Sequence, residues 1–228
     1  MVIPPVNYSA IRNSLQTGDI FTFTGTSALD YMIQLMEGQP YNHVGMVIRQ
    51  GANLYFWDAP GGGNQFPDPY KNNQPHSGCR VAPLDQLLSY YMQKEVSLYY
   101  RQMQPALNQQ QLDALQIFVN LVDGFPFPGG ELNWPDQFGL GAGIAGSYFI
   151  GKKFSATIAG SYFCAHLIAD TYMHMGLLPT APLPPNGYSP ADFDGSGSEL
   201  PLIGVALTPV VPVNFDLATQ AAPAATSA

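Results

Sequence analysis

The sequence predicts an α+β domain, and three features carry that expectation. Four β-rich runs, at residues 20–23, 43–49, 53–58 and 96–101, are bounded by turn-forming residues. Four further segments carry helix caps, stops or apolar residues at helical spacing. The chain has 228 residues, of which 46% are hydrophobic, enough to bury a core without covalent staples.

In chain order, Gly18-Asp19 opens the run Ile20-Phe21-Thr22-Phe23, which ends at Gly25. Ser27 can cap a helix of about eleven residues with a stripe of Leu29, Met32, Ile33, Leu35 and Met36, closed by Gly38 and Pro40. The runs at 43–49 and 53–58 flank Gln50-Gly51-Ala52, a hairpin signal. Residues 60–80 form a loop rich in Gly, Pro and Asn, and loops of such length are usually functional or mobile. A helix is expected over 84–93 after Pro83, a strand over 96–101, and a longer helix over 107–122 that Gly124 stops. Residues 125–160 are Gly- and aromatic-rich with no steady period. Ser161 is expected to cap a last helix running to about Met175, stopped by Gly176 and Pro179. Residues 217–228 have one large apolar side chain and are expected to be disordered.

Charge and composition exclude several classes. Eight Lys and Arg against sixteen Asp and Glu give a net charge of -8, and the basic residues are scattered, which argues against a nucleic-acid partner. Only 11% of residues are charged, and sixteen Gln with twelve Asn supply much of the polar surface. Two cysteines, Cys79 and Cys164, are too few for a disulfide scaffold. The start lacks a basic segment followed by an unbroken apolar one, so no secretory signal is expected. The longest apolar stretches, 138–150 and 200–213, are broken by Gly or Pro and fall short of the roughly 18 residues a membrane span needs.

The chemistry-bearing candidates are Cys164, His43 and Asp58. Cys164 lies near the start of the last expected helix, where unpaired N–H groups favour a thiolate; helical spacing puts it on the buried stripe with Leu167, Ile168, Thr171 and Met175. A lone cysteine there is otherwise a small buried hydrophobe. His43 starts a strand on which His43, Gly45 and Val47 face one way and Val44, Met46 and Ile48 the other. If Gln50-Gly51 is a two-residue turn, His43 falls opposite Asp58. A four-residue loop puts Asp58 opposite Gly45, diagonal to His43 on the same face, and a three-residue loop turns it away. A nucleophile, a base and a carboxylate that fixes the base are the three roles of a cysteine hydrolase.

Other constellations are weaker. His76 and Cys79 with Cys164 and His166 would supply zinc donors, but Cys164 and His166, two apart on a helix, point in nearly opposite directions. His166, Asp170 and His174 recur every four residues on the face away from Cys164 and read as a solvated face. Gly141-Ala142-Gly143-Ile144-Ala145-Gly146 matches a dinucleotide fingerprint as a string, but no strand precedes it. Neither Gly-x-Ser-x-Gly nor a Walker loop occurs, against an α/β-hydrolase esterase and a P-loop nucleotidase.

Four stretches in order carry a family resemblance: Thr17-Gly18-Asp19-Ile20-Phe21, Tyr41-Asn42-His43-Val44-Gly45-Met46-Val47-Ile48, Tyr162-Phe163-Cys164-Ala165-His166-Leu167-Ile168 and Tyr188-Ser189-Pro190-Ala191-Asp192-Phe193. Together they resemble the circularly permuted papain-like amidases and acyltransferases, which include the permuted NlpC-type hydrolases and relatives of lecithin:retinol acyltransferase. In that group the catalytic His precedes the Cys, as His43 precedes Cys164. This chain departs from the pattern at Ala165, where Ser is frequent, and at Asp58, where Glu is frequent.

The resemblance implies a permuted papain-like domain over residues 17–215, with 1–16 as an N-terminal extension and 216–228 as a tail. A small antiparallel sheet would pack against helices that include the nucleophile helix. Cys164 would attack an amide or ester carbonyl, His43 would move the proton, and Asp58 would hold the imidazole. No cofactor is expected, and the substrate would be a peptide, a peptidoglycan-like peptide or a lipid acyl group. A lipid-directed acyltransferase and a catalytically silent binding module are the alternatives; the sequence lacks the basic amphipathic helix expected of a membrane-surface enzyme.

Overall fold

The computed structural model describes residues 3–25, 43–60, 65–93, 96–127, 161–195 and 200–216. In chain order the elements are β1 (Val6–Asn7), α1 (Tyr8–Ile11), β2 (Ile20–Thr24), β3 (His43–Gln50), β4 (Asn53–Asp58), β5 (Arg80–Pro83) and α2 (Leu84–Met92). They continue with β6 (Ser97–Arg101), β7 (Met103–Gln104), α3 (Gln109–Val122), α4 (Cys164–His174), β8 (Ala206–Leu207) and β9 (Val211–Asn214). The fold is α+β. The helix expected after Ser27, most of the 125–160 stretch and the tail from 217 lie outside the described residues.

The main sheet has seven strands in the order β1-β9-β6-β2-β3-β4-β5. It is larger than the small sheet expected and mixed rather than purely antiparallel, because β1 runs parallel to β9. The strands of this sheet missing from the sequence reading, β1, β5 and β9, are two to four residues long, too short for alternation to show. β5 and β9 also contain Pro83 and Pro212, which read as strand breakers. Residues 6–15, expected to precede the domain, supply β1 and bury Tyr8 and Leu15. Tyr8 donates to Asp85 at 2.7 Å, and Arg12 forks onto the same carboxylate at 3.0 and 2.6 Å.

The β3–β4 hairpin closes with Gln50 opposite Asn53, so the turn is Gly51-Ala52, with Gly51 at φ +60°. Met46 faces Trp57, and the same register carries Asp58 across from Gly45, the diagonal arrangement of the two even alternatives. Gly45 is a close approach: a Cβ there would lie 2.3 Å from the Phe56 ring and 2.9 Å from the Trp57 carbonyl oxygen. The two sheet faces bury separate cores. Val44, Met46, Ile48, Trp57 and Val81 pack with Phe118 and Val119 of α3 and Leu167, Ile168 and Tyr172 of α4. Phe21, Phe23, Val47, Phe56 and Leu98 pack on the other side with Leu84, Leu87 and Leu88 of α2.

Local chemistry sets the helix starts. Asn108 and Gln111 form a reciprocal capping box, so α3 begins at Gln109, two residues after the expected start. At α4 the residue with extended backbone ahead of the helix is Phe163, two residues after the expected cap Ser161. Cys164 is therefore the first helical residue rather than one turn in. No helix among the described residues is long and apolar enough to cross a membrane.

Candidate active site

His43 is the first residue of β3 and Asp58 the last of β4, so the hairpin brings both to one end of the sheet on one face. His43 Nε2 lies 2.9 Å from Asp58 Oδ2. The cross-strand partner of Asp58 is Arg80 on β5. Its Nε donates to Asp58 Oδ1 at 2.8 Å and a terminal nitrogen donates to Oδ2 at 3.4 Å. Asp58 is fully buried. Burial opposes its charge, but the Arg80 guanidinium, with His43 adding to it, more than offsets that and holds the carboxyl below its usual range. Arg80 in turn lies 5.6 Å from the Phe66 ring centre and reaches the Tyr91 hydroxyl at 3.5 Å. The rings of Phe23 and Tyr91 flank the imidazole, at 5.6 and 6.3 Å between centres.

Cys164 arrives from the opposite side of the sheet. Helix α4 packs on the Val44 and Met46 face, while His43 points to the face of Phe23 and Tyr91. The two meet because each is the first residue of its element, where the helix start overhangs the end of the sheet. Cys164 is near enough to the His43 imidazole to act on its charge. With Nε2 directed at Asp58, Nδ1 is the nitrogen left to face the sulfur. Burial works against a charged imidazole, but Cys164 and Asp58 outweigh it and push His43 up to about 10, so the ring is protonated at neutral pH.

Adjacent residues of β4 position both arms of this pair. Trp57 points to the α4 face, where its Nε1 donates to Thr171 Oγ1 at 3.0 Å, and that hydroxyl donates to the Leu167 carbonyl at 2.6 Å. Asp58, one residue on, points to the other face and holds His43. Tyr172 adds a second anchor for α4 by donating to the Gly18 carbonyl at 2.9 Å. The neighbouring Asp19 is buried and accepts from Tyr100 at 2.7 Å and from the Met103 N–H at 2.9 Å, so the Gly18-Asp19 pair is a bracket for β2, β6 and α4. In the fourth motif stretch, Tyr188 and Phe193 join the α4-side core.

The remaining sequence candidates separate from this site. Cys79 is fully buried; burial first, then Asp123 and Asp58, push its thiol well above the usual range. Its backbone N–H donates to the Phe125 carbonyl at 2.8 Å, a structural placement. His76 turns its Nε2 to Asp68, 3.0 Å away, rather than to either sulfur, so the four-donor zinc set does not assemble. The face expected to be solvated is not so at His166, which is buried and lies ring to ring with Tyr162 at 4.4 Å. Burial pulls that imidazole down to about 4. Periodicity misjudged His166 because aromatic residues ahead of the helix fold back over it. The sequence reading missed Arg80 and Tyr91. Arg80 showed only as a basic residue ending a loop, and its partnership with Asp58 becomes visible only once β5 is known. Among the described residues one group brings metal-ligating donors together, Asp68, His76 and Asp123.

No protein-family model matches the sequence, and no curated protein matches it. Among solved structures the chain is similar to the metalloprotein YiiX from Escherichia coli O157:H7, DUF1105, with a TM-score of 0.46 and 18% sequence identity. The similarity covers 71% of this chain and 66% of that one, so just under two thirds of that protein's length is spanned.

Proposed function

We propose that the protein is a thiol-dependent hydrolase of the amidase or peptidase type, working on a permuted papain-like frame. The observation that supports this reading is the chain of contacts Arg80–Asp58–His43–Cys164, with the cysteine at a helix start. A small buried hydrophobe would not need a protonated imidazole against its sulfur, and a structural histidine would not need a buried carboxylate clamped by arginine.

In this mechanism the proton shared by Cys164 and His43 rests on the imidazole, and the sulfur attacks the carbonyl carbon of an amide. The carbonyl oxygen, now negative, accepts from the Cys164 backbone N–H, which as a first-turn donor has no acceptor within the helix. The intermediate collapses as His43 protonates the leaving nitrogen, and a thioester remains on Cys164. Water then attacks the thioester while His43 takes its proton, and the departing sulfur is left facing the protonated imidazole as at the start. Asp58 stays ionised and keeps the imidazole aligned.

The test offers bacterial cell-wall peptides and phospholipids to the wild type, Cys164→Ala and His43→Gln proteins, with products identified by mass spectrometry. Cleavage by wild type that both variants lose supports the reading. Turnover that persists in Cys164→Ala overturns it.

A further inference from the structure

We propose that Asp68, His76 and Asp123 form a binding site for one divalent cation of the zinc class, between the 65–79 segment and the end of α3. The site uses none of the residues of the Cys164 network, and nothing in the hydrolase reading requires it.

Spacing is the first observation. His76 Nε2 lies 3.0 Å from Asp68 Oδ2 and 3.5 Å from Asp123 Oδ1, and the three donor atoms fall within 4.8 Å of one another. Donors about 2.1 Å from a tetrahedral zinc ion stand about 3.4 Å apart, and both His76–carboxylate distances are within a few tenths of an ångström of that spacing.

Orientation is the second. His76 Nδ1 lies 3.1 Å from the Ser77 carbonyl oxygen. A carbonyl only accepts, so Nδ1 carries a proton and Nε2 is the nitrogen presented to the two carboxylates. An outer hydrogen bond of this kind fixes the ring of a metal-bound histidine. Asp68 is anchored likewise, with Oδ1 accepting from the Tyr70 N–H at 2.8 Å and Oδ2 from the Val81 N–H at 2.6 Å.

Asp123 supplies an independent pointer. The residue is 5% exposed, and neither of its buried carboxylate oxygens has a hydrogen-bond partner. Its nearest cationic group besides His76 is Lys71 Nζ, 3.7 Å away on a side chain that is 43% exposed. A buried carboxylate left without a hydrogen bond is costly, and a cation shared with Asp68 and His76 would remove that cost. Lys71 is the group the ion would displace into solvent.

A pocket of about 450 Å³ lined by Lys71, Gln74, His76, Ser77, Asp123, Gly124 and Phe125 gives the ion an entry path and room for water as a remaining ligand. One imidazole with two carboxylates suits zinc better than calcium or magnesium, which favour oxygen alone. The bound ion would brace the junction where Cys79 and Phe125 pair their backbones and where the Pro126 carbonyl accepts from the Tyr162 N–H, two residues before Cys164.

The test is equilibrium dialysis of the full chain against Zn2+ with metal counted by mass spectrometry. It is done in the Cys164→Ala background, so that the thiol of the proposed catalytic pair cannot supply the signal. One equivalent is expected to bind saturably, to resist competition by Mg2+ and Ca2+, and to weaken at least about 100-fold when Asp123→Asn or His76→Gln is added. Absence of saturable binding, or equal affinity in both added variants, overturns the proposal. His76→Gln carries the test if circular dichroism shows that Asp123→Asn does not fold.

Discussion

Replacing Arg80 by Met is expected to cost about 3–4 kcal/mol of folding stability, and the figure follows from what the guanidinium holds. Arg80 is 2% exposed and Asp58 fully buried, so the substitution strips a desolvated carboxylate of its main counter-charge. Two charges about 4 Å apart at an effective dielectric near 20 attract by about 4 kcal/mol, and breaking one partner of a buried pair typically costs about 3–5 kcal/mol. His43 remains 2.9 Å from Asp58 and keeps the loss toward the lower part of that range. Losing the guanidinium over the Phe66 ring adds about 0.5 kcal/mol or more. At about 2–4 °C per kcal/mol for a chain of this size, Tm should fall by roughly 6–16 °C. Thermal and urea unfolding at neutral pH measure it. The double variant Arg80→Met/Asp58→Asn leaves neither charge behind and should recover at least half of the loss. If Arg80→Met stays within about 0.5 kcal/mol of wild type, or the double variant loses the sum of the two single losses, the buried clamp on Asp58 is not what the geometry implies.

Three further outcomes are expected. A thiol alkylator at neutral pH should label Cys164 faster than Cys79, whose sulfur is fully buried and reluctant to ionise, and intact-mass analysis of tryptic peptides gives both rates; parity would count against the nucleophile. Because the pKa of His43 is raised to about 10, its ring should keep imidazolium nitrogen shifts from pH 7 to 9, where an ordinary histidine, with a pKa near 6.5, is neutral. A midpoint near 6.5 in NMR titration of labelled histidine would contradict the network. Thr171→Val should strand the Trp57 indole N–H in the core at a cost of about 1–3 kcal/mol; an unchanged urea midpoint would mean that Trp57 does not dock α4 through this bond.

The parts of the site readable in the sequence are those fixed by period and turn length. Alternation along residues 43–48 separated His43 from Val44 and Met46, and the even turn at Gly51-Ala52 kept Asp58 on the face of His43. Both rest on the strict two-residue repeat of a strand, which is local. The join between Cys164 and His43 was not readable, because it depends on how α4 lies across the sheet, and the Trp57–Thr171 bond spans more than a hundred residues. Arg80 escaped notice for the same reason, since a four-residue strand ending in Pro83 leaves no pattern. The start of α4 went wrong by local chemistry: Ser161 is a good cap residue, but Phe163, two residues on, takes the extended conformation at the boundary.

The far end of the β3–β4 hairpin is where this enzyme candidate can best be altered without touching its chemistry. Seven residue steps separate His43 from Gln50, about 23 Å of strand. At the tip, Gly51 has open space around it, with no atom within 4 Å of where a side chain would start. A reporter peptide or affinity tag spliced between Gly51 and Ala52 should therefore be accepted. One residue inserted on β4 just before Trp57 is another matter. It would turn the indole and the carboxylate through to each other's faces, unseating the helix and the imidazole together.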